Sequence, residues 1–200
     1  MRLFACIFLT LAFGCAKPPS SLVPLCVDAD RHLDDRLVGE WRLKSAKPKP
    51  ERPPLVSFGN FNDIIATIAS DNVASYRLTL TRDDSQISLD CMLTKVGDAV
   101  YMTLRQPPIQ DTAIAGTTLR PYFLTKCSFL DGEIRLTGCD GERLLAILKD
   151  STLPFIETDS GLVFTGTTDR LREMIKHNSD TLFPAGTGDV ILVPADRKAG

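Results

Sequence analysis

The chain has 200 residues, of which 44% are apolar and 24% are charged, and its net charge at pH 7 is −2. This length predicts one domain, or one domain plus a tail, and the apolar content excludes an intrinsically disordered chain. The near-neutral charge excludes a strongly basic surface, so nucleic acid is not an expected partner.

Residues 1–14 have the order of a secretory signal. Arg2 supplies a positive charge, residues 3–13 carry no charge, and Gly14 is small. The apolar run is too short to cross a bilayer as a helix, which takes about 20 residues. We therefore assign residues 1–14 to a signal peptide.

The residues around Cys15 resemble the end of a bacterial lipoprotein signal, where a small residue, here Gly14, precedes the cysteine that receives the lipid. The resemblance implies that Cys15 carries a diacylglyceryl group and an acyl chain such as palmitate, which together exceed the single-chain limit for stable anchoring. Ala16 implies sorting to the outer membrane, with the protein facing the periplasm. Ordinary cleavage between small residues is the alternative and would give a soluble periplasmic or secreted protein.

Residues 15–35 are expected to form the lipid anchor and a flexible tether. Proline and serine in residues 16–24 disfavour helix and sheet, and residues 26–35 are acidic. The aspartates around His32 lack the glycine-containing spacing of a calcium loop, so a solvated linker is expected there. The domain then occupies residues 36–200.

The domain is predicted to be mainly β because apolar and polar residues alternate with period two. Strands are expected at residues 37–44 and 64–69, separated by a proline-rich loop at 47–54 and followed by an Asp71-Asn72 turn. Three hairpins follow, whose registers place the apolar residues of both strands on one face. Their turns are Asp83-Asp84, Gly97-Asp98 and Asp131-Gly132, and the expected pairs are Leu80–Ile87, Leu78–Leu89, Leu93–Met102, Cys91–Leu104, Phe129–Ile134 and Cys127–Leu136.

The C-terminal third has weaker patterns. Residues 142–148 are a short helix or a buried strand, and residues 162–165 and 190–193 are brief strands. A helix is expected at residues 169–177, capped by Thr167 or Thr168. In the strand at 100–105, alternate residues are expected to face outward, namely Tyr101, Thr103 and Arg105. The whole is an antiparallel meander that forms a barrel or a strongly curved sheet, with one C-terminal helix.

Gly39-Glu40-Trp41 resembles the Gly-x-Trp motif at the first strand of lipocalins, whose Trp closes the base of the barrel. The Leu-Val-Gly-x-Trp opening at 37–41, the Tyr-Arg-Leu-Thr-Leu strand at 76–80 and the segment 162–177 resemble small uncharacterised bacterial lipoproteins with a lipocalin-like body. This resemblance covers most of residues 36–195. It implies a lipocalin-like barrel and carries over no catalytic residue.

Residues that could support catalysis are sparse. Only His32 and His177 could act as a histidine base, and neither a Gly-x-Ser-x-Gly elbow nor a Cys-x-x-Cys or His-x-x-x-His metal spacing occurs. We therefore expect no enzyme activity, metal or cofactor, with a hydrolase or isomerase as a second alternative.

A small closed barrel is either packed solid or holds one apolar ligand. The candidate lining residues are Trp41, Tyr76, Leu78, Leu89, Cys91, Met102 and Phe123. Alternation indicates which side chains point inward and leaves both states open. The first state predicts an interaction or envelope-maintenance module that meets an envelope protein, and the second a carrier of a lipid or fatty acid.

Four cysteines follow Cys6 and Cys15, namely Cys26, Cys91, Cys127 and Cys139. The hairpin register places Cys127 inward and Cys139 on the opposite face, so these two are not expected to pair. One expectation is a Cys91–Cys127 bridge across the interior together with a Cys26–Cys139 bridge, which an exported protein allows. The other is four buried free thiols.

Overall fold

The computed structural model describes residues 19–27, 31–45, 64–72, 75–107, 120–158, 161–186 and 189–196. The signal peptide, Cys15 and the loop at 47–54 lie outside these ranges, so the predictions for them remain predictions. The described chain is mainly β, as expected.

Eight antiparallel strands close into a barrel. They are β3 (Gly39–Ser45), β4 (Ile65–Asn72), β5 (Ser75–Arg82), β6 (Ser85–Val96), β7 (Ala99–Arg105), β8 (Tyr122–Leu130), β9 (Glu133–Gly138) and β12 (Val190–Pro194). Each strand from β3 to β8 pairs with its successor in the chain, and β12 lies between β9 and β3. This last pairing closes the sheet, so the barrel alternative is the correct one.

The three predicted hairpin registers are confirmed. Leu80 pairs with Ile87 in the first hairpin. The second hairpin pairs Leu93 with Met102, and the third pairs Cys127 with Leu136. In the Asp131-Gly132 turn both residues have positive φ, 51° and 76°, which is typical of the tight turn that matches the twist of two paired strands.

The turn predicted at Asp71-Asn72 is wrong. Strand β4 continues through both residues, and Asn72 pairs with Ser75. A register shift between Ser70 and Asn72 carries the strand past the predicted turn. Turn-forming residue types therefore lie within the end of a strand here, because a β-bulge accommodates them.

Alternate residues of the barrel strands point inward and form the interior core. Its members include Leu37, Trp41, Leu43, Ile68, Tyr76, Leu78, Leu89, Cys91, Leu93, Met102, Leu104, Ile134, Leu136 and Leu192. Period-two alternation on a closed sheet forces this arrangement, because every second side chain has no other apolar environment.

A second layer covers one side of the barrel. Its strands are β1 (Ser20–Ser21), β10 (Phe155–Thr158) and β11 (Gly161–Phe164), and its helices are α1 (Gly141–Lys149) and α2 (Thr168–Leu182). Strand β1 joins this layer to the barrel, because it pairs with β11 on one side and β8 on the other. A separate short strand, β2 (Arg31–His32), pairs with β6, and a 3-10 helix spans Asp35–Leu37.

Residues 142–148, for which the sequence left a short helix and a buried strand open, belong to helix α1. The Asp140 carboxylate accepts from the backbone N–H groups of Glu142 and Arg143 at 3.0 and 3.1 Å, and Leu144 and Leu148 form its buried face. An N-terminal cap of this kind satisfies donors that the first helical turn leaves free.

The helix predicted at residues 169–177 begins as expected and ends later. Thr167 caps α2, and the helix continues through a break in its regular geometry at Asn178 to Leu182. His177 therefore lies inside α2 and not at its C-terminus. No helix within the described ranges is long and apolar enough to cross a membrane.

The second layer encloses its own apolar cluster, which we call the outer core. It contains Leu25, Val96, Tyr101, Cys139, Leu144, Leu148, Leu162, Phe164, Leu171, Met174, Ile175, Leu182 and Phe183. Tyr101 faces outward from β7 as predicted, yet it is fully buried because α2 lies over it.

The predicted flexible tether is wrong for residues 19–27, which we call the strap. Ser21 and Leu25 are fully buried, and Cys26 is 5% exposed. The strap thus belongs to the folded domain, because Leu25 completes the outer core.

Candidate functional site

The seven candidate lining residues do come together, inside the barrel. Six of them are members of the interior core, and Phe123 is partly buried against it. Met102 is fully buried, and Cys91 is 1% exposed. Since a side chain beside a water-filled space would keep accessible surface, Met102 and Cys91 have almost no room for water beside them, whereas Trp41 is 8% exposed and Phe123 is only partly buried.

One end of the barrel is closed by the 3-10 helix at Asp35–Leu37. The Trp41 indole N–H donates to the backbone oxygen of Leu37 at 3.0 Å, and Leu37 is fully buried in the interior core. The Tyr76 hydroxyl contacts the backbone of Asp34. These contacts fasten the helix across the barrel end.

Backbone geometry explains why the first residue of the Gly-x-Trp motif is a glycine. Gly39 has a φ of 150°, a conformation that side-chain-bearing residues rarely adopt. A Cβ atom there would lie 3.6 Å from the Trp41 indole nitrogen, an ordinary contact distance, so the backbone conformation and not crowding requires glycine. Gly39 therefore lets the chain turn from the 3-10 helix into β3 beside the Trp41 ring.

Asp34 and Arg36 form the main charged contact at this end. The guanidinium donates to both carboxylate oxygens, at 2.9 and 2.6 Å. Hydrogen bonding by Arg36 holds the pKa of Asp34 below its usual range, against the opposing effect of burial. The guanidinium also lies 4.3 Å from the ring centre of Phe129, a cation–π distance.

Beside this end lies an open groove of about 640 Å³, the side groove, between the β6–β7 turn, β8 and α2. Its walls are partly apolar and partly charged. The residues that define it are Arg36, Tyr101, Lys126, Phe129, Ser179 and Asp180. The side groove is outside the barrel interior, where the sequence placed the candidate site.

A hydrogen-bond network lines one wall of the side groove. Tyr101 donates to the Ser179 hydroxyl at 2.7 Å, and the Lys126 ammonium contacts the same oxygen at 3.1 Å. Lys126 also pairs with Asp180 at 3.0 Å. Together these bonds attach the part of α2 that follows Asn178 to the barrel wall.

This network contains a serine hydroxyl without a base beside it. Burial raises the pKa of Tyr101, so its phenol stays protonated and acts as the donor to Ser179. An ammonium group has three N–H bonds and no lone pair, so Lys126 as a donor cannot accept the Ser179 proton. Nucleophilic catalysis needs a base at the nucleophile, and neither of the two side chains that contact the Ser179 hydroxyl, Tyr101 and Lys126, can take that role in these protonation states.

The two histidines contact other residues. His177 Nδ1 is 2.8 Å from the backbone oxygen of Glu173, and His32 lies 4.0 Å from the Asp34 carboxylate. In the part of the chain that the structure describes, no three His, Cys, Asp or Glu side chains form a metal-binding group.

The four described cysteines are free and buried, so the predicted Cys91–Cys127 and Cys26–Cys139 bridges are absent and the alternative of free thiols is correct. Cys91 and Cys127 belong to the interior core, and Cys139 to the outer core. Burial raises the pKa of Cys91, and raises that of Cys127 to about 12. Because the thiolate is the reactive form, both are expected to be inert in the folded protein.

The side groove was not found from the sequence because its residues come from outward positions and from beyond the predicted helix. Leu171, Ile175 and Leu182 continue a helical spacing past residue 177, and this signal could have placed Ser179 on α2. Nothing in the sequence pairs Ser179 with Tyr101 or Lys126.

Comparison with protein-family models, with curated proteins and with solved structures found no match to this chain.

Proposed function

We propose that this protein is a non-enzymatic, lipid-anchored protein of the bacterial cell envelope, with a lipocalin-like barrel that acts as an interaction module. The observation that carries the proposal is that the inward residues Met102, Cys91 and Leu89 are at most 2% exposed. A barrel whose interior is filled by its own side chains offers its outer surface to partners, and the side groove is the concave part of that surface.

The lipid-anchored part of the proposal comes from the sequence. Gly14-Cys15 follows a short apolar run that begins after Arg2, and the Gly-x-Trp opening of β3 is the lipocalin-like feature. Intact mass of the purified protein tests the anchor, because a mature chain that starts at a lipidated Cys15 is heavier than its peptide mass. Cys15→Ala is expected to lose this added mass and to leave the membrane fraction.

The alternative function is a carrier of a small apolar ligand, which a small lipocalin-like barrel would suit if its interior opened. Titration of Cys15→Ala protein with a fluorescent fatty acid separates the two functions without interference from the anchor's own acyl chains. No saturable binding is expected. Stoichiometric binding that Leu89→Trp abolishes, while Ile156→Trp at an exposed position preserves it, would favour the carrier.

The interaction role predicts contact at the side groove. A photo-crosslinking amino acid at Asp180, whose side chain is 98% exposed, is expected to give one discrete adduct in living cells. The matched control is Asp83, whose side chain is 88% exposed in the β5–β6 turn at the other end of the barrel. Equal crosslinking at both positions, or none at Asp180, would contradict an interaction role for the groove.

A further inference from the structure

The chain between the proposed lipid anchor and the folded domain is very short. Pro19 is already buried, so only about four residue steps separate it from Cys15. A fully extended chain spans at most about 3.6 Å per residue, which limits the distance from Cys15 to Pro19 to about 14 Å. The lipid at Cys15 would therefore hold Pro19 close to the membrane surface.

The strap cannot easily detach to lengthen this connection. Strand β1 is paired on both edges, and the Leu22 N–H donates to the Phe164 oxygen at 3.0 Å. Further along, the Thr168 hydroxyl donates to the Pro24 oxygen at 2.9 Å. Peeling the strap away would break these bonds and expose Leu25, which is fully buried.

The position of Pro19 determines which side of the domain is near the membrane. Pro19 lies outside the barrel wall, where it lines a small space with Leu124 of β8 and with Leu171 and Ile175 of α2. Strand β4 is four strands from β8 in either direction around the ring, so it lies on the opposite wall.

The barrel is wider than the distance that the chain between Cys15 and Pro19 can span. Eight strands about 4.8 Å apart and tilted by roughly 40° make a ring about 16 Å across before side chains are added. With the β4 wall on the membrane, Pro19 would be farther from the surface than the roughly 14 Å that the chain can span. Attachment at Cys15 excludes that orientation.

We propose that the lipid bilayer is the partner of the side formed by β10, β11 and the strap, and that the β4 wall faces away from it. This inference rests on the proposed lipidation of Cys15. Of the six exposed large apolar side chains in the described residues, Leu22 and Val27 lie on the strap and Ile156 on the edge strand β10, while the other three, Leu33, Val38 and Leu130, lie beside the 3-10 helix and at the end of β8. Apolar side chains on this side are suited to the bilayer interface.

Contact quenching in vesicles tests the orientation. The lipidated protein carries a fluorophore on Ile156→Cys or, as the matched control, on Ala69→Cys, an exposed position of β4. The four described native cysteines are buried and do not compete for the label. The vesicles contain phosphatidylethanolamine and phosphatidylglycerol with a nitroxide headgroup quencher, and quenching at residue 156 is expected to be several-fold stronger than at residue 69.

The same two labelled proteins with a lengthened connection to Cys15 test whether the short connection is what sets the orientation. A flexible Gly/Ser insertion of about 20 residues after Ala16 spans on the order of 25 Å and is expected to abolish the difference between the two positions. Equal or reversed quenching in protein that floats with the vesicles would overturn the orientation alone. Protein that neither floats nor carries the lipid mass would overturn the anchor, and the orientation with it.

Discussion

The interior core and the outer core are built from the same kinds of apolar side chain but are enclosed in different ways. The interior core lies inside a closed ring of eight strands, and its members come from regular alternation along those strands. The outer core lies under separate pieces of chain, namely the strap, α1, β11 and α2. Among the described residues, the sheet of this layer is paired with the barrel through the two residues of β1. The barrel is therefore held together by continuous strand pairing, and the layer that covers it mainly by side-chain packing.

The comparison predicts the largest loss of stability for a residue at the closed end of the barrel. Trp41→Ala is expected to lower the free energy of unfolding by about 3–5 kcal/mol, because it leaves a cavity in the interior core and removes the bond to Leu37. Urea unfolding followed by far-UV circular dichroism measures the change. Val38→Ala is the control, since Val38 is 46% exposed and its truncation should change stability by about 0.5 kcal/mol or less. Equal effects would contradict the closure by Trp41.

In the outer core, Leu171→Ala is expected to have a smaller and more local effect. Leu171 is 1% exposed. Its truncation should lower the free energy of unfolding by an amount in the lower part of the range of about 2–5 kcal/mol, because α2 can shift to fill part of the cavity. Hydrogen exchange should rise in α1, α2 and the strap while the amides of β6 and β7 stay protected. A uniform loss of protection would show that the two cores unfold as one unit.

The contact between the two regions can be tested at Ser179. Ser179→Ala removes the acceptor of the buried Tyr101 hydroxyl. This change is expected to lower the free energy of unfolding by about 1–3 kcal/mol. Tyr101→Phe is the matched partner in a double-mutant cycle. The double variant should lose less stability than the sum of the two single variants, because no hydroxyl is then left unpaired. Strict additivity would mean that the bond does not attach α2 to the barrel.

The smallest expected effect is the pH dependence that arises at Asp34. Its pKa is lower in the folded protein than in the unfolded chain, so its ion pair stabilises the fold above the unfolded pKa of about 4. This stabilisation is lost as the pH falls through the folded pKa. Asp34→Asn should therefore flatten the decline in unfolding free energy between about pH 5 and pH 2. An unchanged slope would assign the acid sensitivity to other carboxylates.

The sequence predicted the barrel better than the layer that covers it. The three hairpins followed from turn residues such as Asp131-Gly132 combined with alternation, because one register alone puts both apolar sets on one face. The strap was missed because proline and serine are typical of linkers, and its burial depends on a pairing with β11, about 140 residues later in the chain. Period-two alternation also cannot show that an outward residue such as Tyr101 is covered by a helix.

The site was predictable only in part, for the same reason. Alternation identified the inward residues, but how fully they fill the interior depends on barrel geometry that a linear pattern does not contain. The side groove depends on α2 extending beyond Asn178 and crossing β7 and β8. Contacts between elements so distant in the chain carry no local signal.

The position of β12 has a consequence for the time at which the barrel can form. Strand β3 begins at Gly39, and its second neighbour is β12, which ends at Pro194. Until β12 emerges from the ribosome, β3 and β9 each present an unpaired edge, so the ring stays open until residues 190–194 have been made. Open edges can pair with other chains, and a chaperone that holds this intermediate would protect it.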